Sequence, residues 1–142
     1  MKISVAMATF NGELFLKQQL QSIAQQTETP DELVVSDDGS SDNTVNIVEQ
    51  FSRNVPFSVH LTQNKKTVGY AQNFLNAIQM CHGELVFISD QDDVWLPEKI
   101  KKVSEYHKSA ASPLLTINDQ LIVDQDLAPT GTTTLQRLTA RR

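Results

Sequence analysis

The chain has 142 residues, of which 39% are apolar and 20% charged, and its formal net charge is −5. That length suits one domain, or part of one, with a core of its own, and the acidic balance argues against nucleic acid as a partner. A lone cysteine, Cys81, excludes an internal disulfide and a cysteine-rich zinc site. No apolar run nears the ~20 residues that span a bilayer, and no signal-like stretch follows the first Met, so the expected setting is reducing and cytoplasmic.

Ile3 to Ala8 is a compact apolar run broken by Thr9-Phe10-Asn11-Gly12. Leu16, Leu20, Ile23 and Ala24 then recur at helical spacing from Glu13 onward. Leu33-Val34-Val35 forms a second buried run, ended by Ser36-Asp37-Asp38-Gly39-Ser40-Ser41-Asp42. Ser41 or Asp42 is the expected N-cap of a helix that pairs Ile47 with Phe51. Phe57 to Leu61 predicts a weaker third strand. Ala71, Phe74, Leu75, Ile78 and Cys81 share a helix face that should place Cys81 in the core, with Gly83 expected just past the C-terminus.

Leu85-Val86-Phe87-Ile88 is a strand that runs into Ser89-Asp90-Gln91-Asp92-Asp93. Trp95 reads as packing, and Pro97 opens a helix carrying Ile100, Val103 and Tyr106. Leu114–Ile117 and Leu121–Val123 read as two further short strands, and the stretch after Asp126 as an irregular tail. Residues 1–126 are thus expected to form one α/β unit with a mostly parallel sheet, and residues 127–142 a tail.

Ligands of open α/β sheets bind beyond the carboxyl ends of the strands. A parallel sheet would bring Thr9–Gly12, Asp37–Ser40 and Asp90–Asp93 to one edge, and with them five carboxylates. Two like charges ~4 Å apart at an effective dielectric of 20 repel by about 4 kcal/mol. Such crowding calls for protonation or for a cation. All-oxygen ligands favour Mg²⁺ or Mn²⁺, which take one or two protein carboxylates and complete their shell with water and phosphates. Dinucleotide-binding and P-loop glycine patterns are absent from the sequence. His60, His82 and His107 have no ligand spacing and read as surface or strand positions. A phosphotransfer receiver domain would need an acidic pair after the first strand and an aspartate after the third. Thr9-Phe10-Asn11 and the acid-free stretch from Leu61 to Asn64 do not supply them.

Ser4-Val5-Ala6-Met7-Ala8-Thr9-Phe10-Asn11 followed by Val34-Val35-Ser36-Asp37-Asp38-Gly39-Ser40-Ser41-Asp42 resembles the opening of family 2 glycosyltransferases. Ser89-Asp90-Gln91-Asp92-Asp93-Val94-Trp95-Leu96-Pro97-Glu98-Lys99-Ile100 is similar to that family's Asp-x-Asp segment, in a form like the rhamnosyltransferase-type subset. The resemblance implies a GT-A (Rossmann-like) α/β fold. It also implies inverting, metal-dependent transfer from a dTDP- or UDP-sugar to a glycan or lipid-linked acceptor, as in polysaccharide synthesis. Thr9, Phe10 and Asn11 match the loop that receives base and ribose, Asp37 the acid that meets the pyrimidine N–H, and Asp38 its turn-closing neighbour. Gly69 and Asn73 match a Gly-x-x-x-Asn signature in which Gln72 stands where many members carry arginine. Asp90 matches the acid near the donor sugar, Asp92 with Asp90 the ligands of Mg²⁺ or Mn²⁺, and Asp93 a third acid. The resemblance places the catalytic base downstream of this chain, which therefore reads as the nucleotide-binding half without its acceptor half. A binding module that transfers nothing is the alternative. Attachment of a longer parent protein to a membrane surface stays open.

Overall fold

The computed structural model describes residues 1–109 and 115–139, and the chain divides into two units between Ser109 and Ala110. The first unit alternates strands and helices: β1 (Ile3–Thr9), α1 (Leu16–Ala24), β2 (Glu32–Asp37), α2 (Thr44–Ser52), β3 (Ser58–Gln63), α3 (Tyr70–Gln79), β4 (Leu85–Ser89) and α4 (Lys99–Ser109). The strands form one four-stranded sheet in the order β3-β2-β1-β4, and every pair is parallel.

β1 and β2 lie in the middle and all their residues are buried, which is why both read as continuous apolar runs. β3 is an edge strand with alternating partial exposure, as its weaker pattern predicts. Val5, Met7, Leu33 and Val35 meet Leu16, Leu20 and Ile23 of α1, Val48 of α2, and Ile100 of α4 in a single apolar cluster. Trp95 is 4% exposed and packs against Phe87, ring centroids 5.7 Å apart. Gln19, on the buried face of α1, shares hydrogen bonds with the hydroxyls of Ser22 and Ser89.

Several expectations shift. The residue that caps α2 is Asn43, whose carbonyl accepts the Ile47 N–H, while Asp42 sits one place earlier and takes the Thr44 N–H at 3.0 Å. α3 ends at Gln79 with Met80 as its cap, so Gly83 lies past the terminus and its φ is not positive. Its lack of a side chain serves another end: a Cβ there would strike Ser4. Cys81 is half-buried rather than a core residue.

The second unit contains β5 (Leu121–Val123), antiparallel to β6 (Pro129–Thr133), and the short helix α5 (Thr134–Thr139). Residues 115–117 carry no strand, and Leu114 lies outside the described residues. Order continues past Asp126 because the Asp124 carboxylate takes the N–H groups of Asp126 and Ala128 and closes a hairpin that the apolar pattern does not signal. The expected irregular tail is therefore corrected for residues 129–139.

Candidate donor-nucleotide site

Parallel pairing puts the ends of β1, β2 and β4 on one edge, as the motif order requires. The β1 loop is laced to the β2 loop. Asn11 takes a positive φ of 47°, a conformation asparagine tolerates better than most residues. Its N–H donates to Ser40 Oγ at 2.9 Å and its Oδ1 accepts the Ser41 N–H at 2.9 Å. Gly12 N–H reaches Thr44 Oγ1 at 2.8 Å, and Glu13 N–H reaches Asp42 at 3.0 Å. The Phe10 side chain stays exposed beside this frame.

Asp37 is fully buried and accepts from five donors: the Thr9 hydroxyl, the Gly39 and Ser40 N–H groups, the Ser40 hydroxyl and the Gln63 amide. Asp38 accepts from Asn64 at 3.0 Å and from the Val68 and Gly69 N–H groups at 2.8 and 2.9 Å. Burial works to raise the Asp38 carboxyl, but these three donors outweigh it and hold it below the ordinary range. Asp42 behaves alike, its burial outweighed by Thr44 and Glu13. Hydrogen-bond donors thus surround the carboxylates on this side.

The β4 loop differs. Asp90 accepts a hydrogen bond from the Tyr70 hydroxyl at 3.2 Å. Burial nevertheless pushes Asp90 up, with the charge of Asp92 adding to it. Burial also raises Asp93, and so does Asp90, while Lys99 pulls the other way. Lys99 lies over the Trp95 ring at 4.1 Å, and burial lowers its ammonium. Among the described residues no three acidic, histidine or cysteine side chains stand together as a full ligand set. An oxygen-only pair with excess negative charge still fits Mg²⁺ or Mn²⁺, which need few protein ligands when a diphosphate supplies the rest.

Thr9, Phe10, Asn11, Asp37 and Asp38 are therefore assembled into one bonded frame, with Asp90, Asp92 and Asp93 on the neighbouring loop. Gln72 is exposed and donates along α3 to Asn76 at 2.9 Å, not to a site carboxylate. Asn76 in turn bonds Asn64, which bridges Asp38 and Asn73, and Asn73 donates to the Thr9 carbonyl at 3.2 Å. Sequence reasoning missed Tyr70, Asn64 and Lys99. Tyr70 and Asn64 flank Gly69 and β3, where position alone does not reveal a partner on another strand.

A four-stranded parallel sheet with a polar frame and a separate acidic loop at its carboxyl edge matches the architecture of GT-A glycosyltransferases. The Glycosyl transferase family 2 profile matches residues 4–114, and the chain belongs to that family. It is 37% identical over 99 residues to the dTDP-rhamnosyl transferase RfbG of Shigella flexneri, covering 67% of this chain and 34% of that protein. The Staphylococcus aureus poly(ribitol-phosphate) beta-N-acetylglucosaminyltransferase TarS is 33% identical over 120 residues, 82% of this chain and 21% of its own. The crystal structure of TarS residues 1–349 in complex with UDP superposes with a TM-score of 0.70 at 30% identity, over 76% of this chain and 32% of that one. A Pyrobaculum calidifontis mannosyltransferase, solved with GDP-Man and Mn²⁺, shares the fold at a TM-score of 0.69 and 24% identity, covering 87% of this chain and 36% of its own. The chain spans about a third of the length of relatives such as RfbG. Among the described residues no helix is long and apolar enough to cross a membrane.

Proposed function

We propose that this chain holds the donor of a glycosyltransferase: a pyrimidine nucleotide-diphosphate sugar, dTDP- or UDP-linked, whose sugar passes with inversion to a glycan or lipid-linked acceptor in a cytoplasmic setting. The observation that carries the reading is the split among the aspartates. Asp37 and Asp38 are each ringed by fixed hydrogen-bond donors, whereas Asp90 and Asp93 are pushed up by burial and by their neighbours' charge. The first pair suits directional recognition of a base, and the second set suits a cation.

In this reading the exposed Phe10 and Asn11 border the base and ribose. Asp37 meets the pyrimidine N–H in place of Gln63, an exposed side chain whose amide sits at 3.2 Å. Buried Thr9 acts by fixing the Asp37 carboxylate at 2.9 Å, and Asp38 by fixing the turn before α3. Asp92 and Asp90 hold Mg²⁺ or Mn²⁺, with Asp93 beside them. Gln72 contributes through its amide chain to Asn76 and Asn64. The bound ion would offset charge developing on the departing nucleotide diphosphate. Recognition of dTDP and UDP rests on the kinship with a dTDP-rhamnosyl transferase and with an enzyme solved with UDP.

Calorimetric titration of the chain with UDP and dTDP, in Mn²⁺ and then in chelator, tests this. Metal-dependent binding of either nucleotide is expected. A folded chain that binds neither overturns the reading.

A further inference from the structure

Gln91 stands between two aspartates of the β4 loop, yet its side chain is spent on the β1 loop. Its Oε1 accepts the Phe10 N–H at 2.9 Å, and its Nε2 donates to the Phe10 carbonyl at 3.1 Å. One planar amide thus closes both backbone groups of Phe10, as an adjacent strand would. The sheet itself does not do so, because the β1–β4 ladder runs only from Ile3 opposite Leu85 to Met7 opposite Ser89. Beyond Ser89 the acidic loop has left the sheet, and its placement against the β1 loop depends on side chains.

The receiving side is shaped for this contact. A Cβ at Gly12 would collide with the Gln91 amide, so glycine leaves the space that Gln91 fills. Chemistry also selects the residue. A glutamate would lose the donated bond and add charge beside Asp90 and Asp92, and an asparagine is one methylene short. The opposite flank of the β1 loop is already tied to Ser40, Ser41 and Thr44. Gln91 therefore joins a preassembled nucleoside frame to a loop that bears the crowded acids.

Resting on the donor-site reading above, we infer that Gln91 is a positioning residue: its amide sets the spacing between the loop that receives the nucleoside and the loop whose carboxylates take the cation. A diphosphate held at one end by its nucleoside and at the other through a metal tolerates little misplacement, since sites work within ~0.5 Å of their productive geometry. The clamp should then matter for the two ligands together and little for either alone.

The test uses the full chain and the variants Gln91→Met, which keeps length without hydrogen bonds, and Gln91→Asn, which keeps the amide without reach. Three affinities are measured for each: uridine and thymidine monophosphates without metal, Mn²⁺ alone by electron paramagnetic resonance, and UDP or dTDP with and without Mn²⁺. Thermal unfolding of each variant confirms that it is folded. Both variants are expected to keep the first two affinities within about two-fold. Both should lose about ten-fold of the factor by which Mn²⁺ tightens diphosphate binding, the scale of two ordinary hydrogen bonds. Full retention of that factor in either folded variant overturns the inference, as does an equal loss in all three affinities, which would mark a merely structural contact. A wild-type chain in which Mn²⁺ does not tighten either diphosphate overturns the donor-site reading itself and this inference with it.

Discussion

The His82 N–H donates to Glu32 Oε1 at 2.6 Å, tying the turn before β4 to the first residue of β2. The same Glu32 oxygen accepts the Ser4 hydroxyl at 2.6 Å, and Lys2 lies 3.9 Å from the other. This buried carboxylate stands at the end of the sheet opposite the acidic loops and joins β1, β2 and the β4 turn.

Burial tends to raise Glu32, but Ser4, His82 and Lys2 outweigh it and hold its carboxyl below the ordinary value of 4.5. A carboxyl lowered on folding adds stability that is fully present above its unfolded value and is lost as pH falls through its folded one. Urea midpoints measured from pH 7 to pH 3 should therefore drop below about pH 4.5. Glu32→Gln should be less stable at pH 7 and show a shallower drop.

Asp38→Ala would leave the Val68 and Gly69 N–H groups and the Asn64 amide without their acceptor. Hydrogen bonds to a charged group are worth about 1.5–3 kcal/mol each. Because Val68 and Gly69 are exposed and water can replace part of what is lost, a total loss of about 2 kcal/mol is expected in denaturant unfolding. Asp38→Asn, which keeps one acceptor oxygen, should lose less.

Asp90→Asn separates stability from binding. It removes a charge from a group raised by burial and by Asp92 while keeping an acceptor for Tyr70. The metal-free variant should melt a few degrees higher, an effect of about 0.5–1 kcal/mol, and bind Mn²⁺ at least ten-fold more weakly. A lower melting temperature would show that Asp90 is stabilising where it stands.

Gly12→Ala should displace Gln91 from Phe10, because the added carbon occupies the place of the amide. Combined with Gln91→Ala, the two changes should be non-additive by about 1 kcal/mol in a double-mutant cycle. Additive losses would mean that the two residues do not share one contact.

The order of strands and helices in the first unit was legible because each buried run has one period and each break is polar. Val5, Met7, Leu33 and Val35 announce central strands, and Leu16, Leu20 and Ile23 announce the face that covers them. Motif positions at strand ends likewise follow from a parallel sheet. Chain ends and caps were less legible. Asn43 and not Asp42 caps α2, since either residue can offer a side-chain acceptor and only backbone direction chooses. Pro129–Thr133 forms a strand through hairpin closure and not through apolar alternation.

What the sequence determined by itself is the inventory: an α/β unit, acids after the second and fourth strands, and Gln72 rather than arginine directly before Asn73. Tertiary structure decided what those acids are. Asp37 and Asp38 face N–H and hydroxyl donors delivered by Thr9, Ser40, Val68 and Gly69, whereas Asp90 is raised by burial and the charge of Asp92, and Asp93 by burial and the charges of Asp90 and Asp92. Identical side chains thus acquire opposite character, because the free energy of a buried carboxylate is set by the donors and charges around it, and those come from residues distant in the chain.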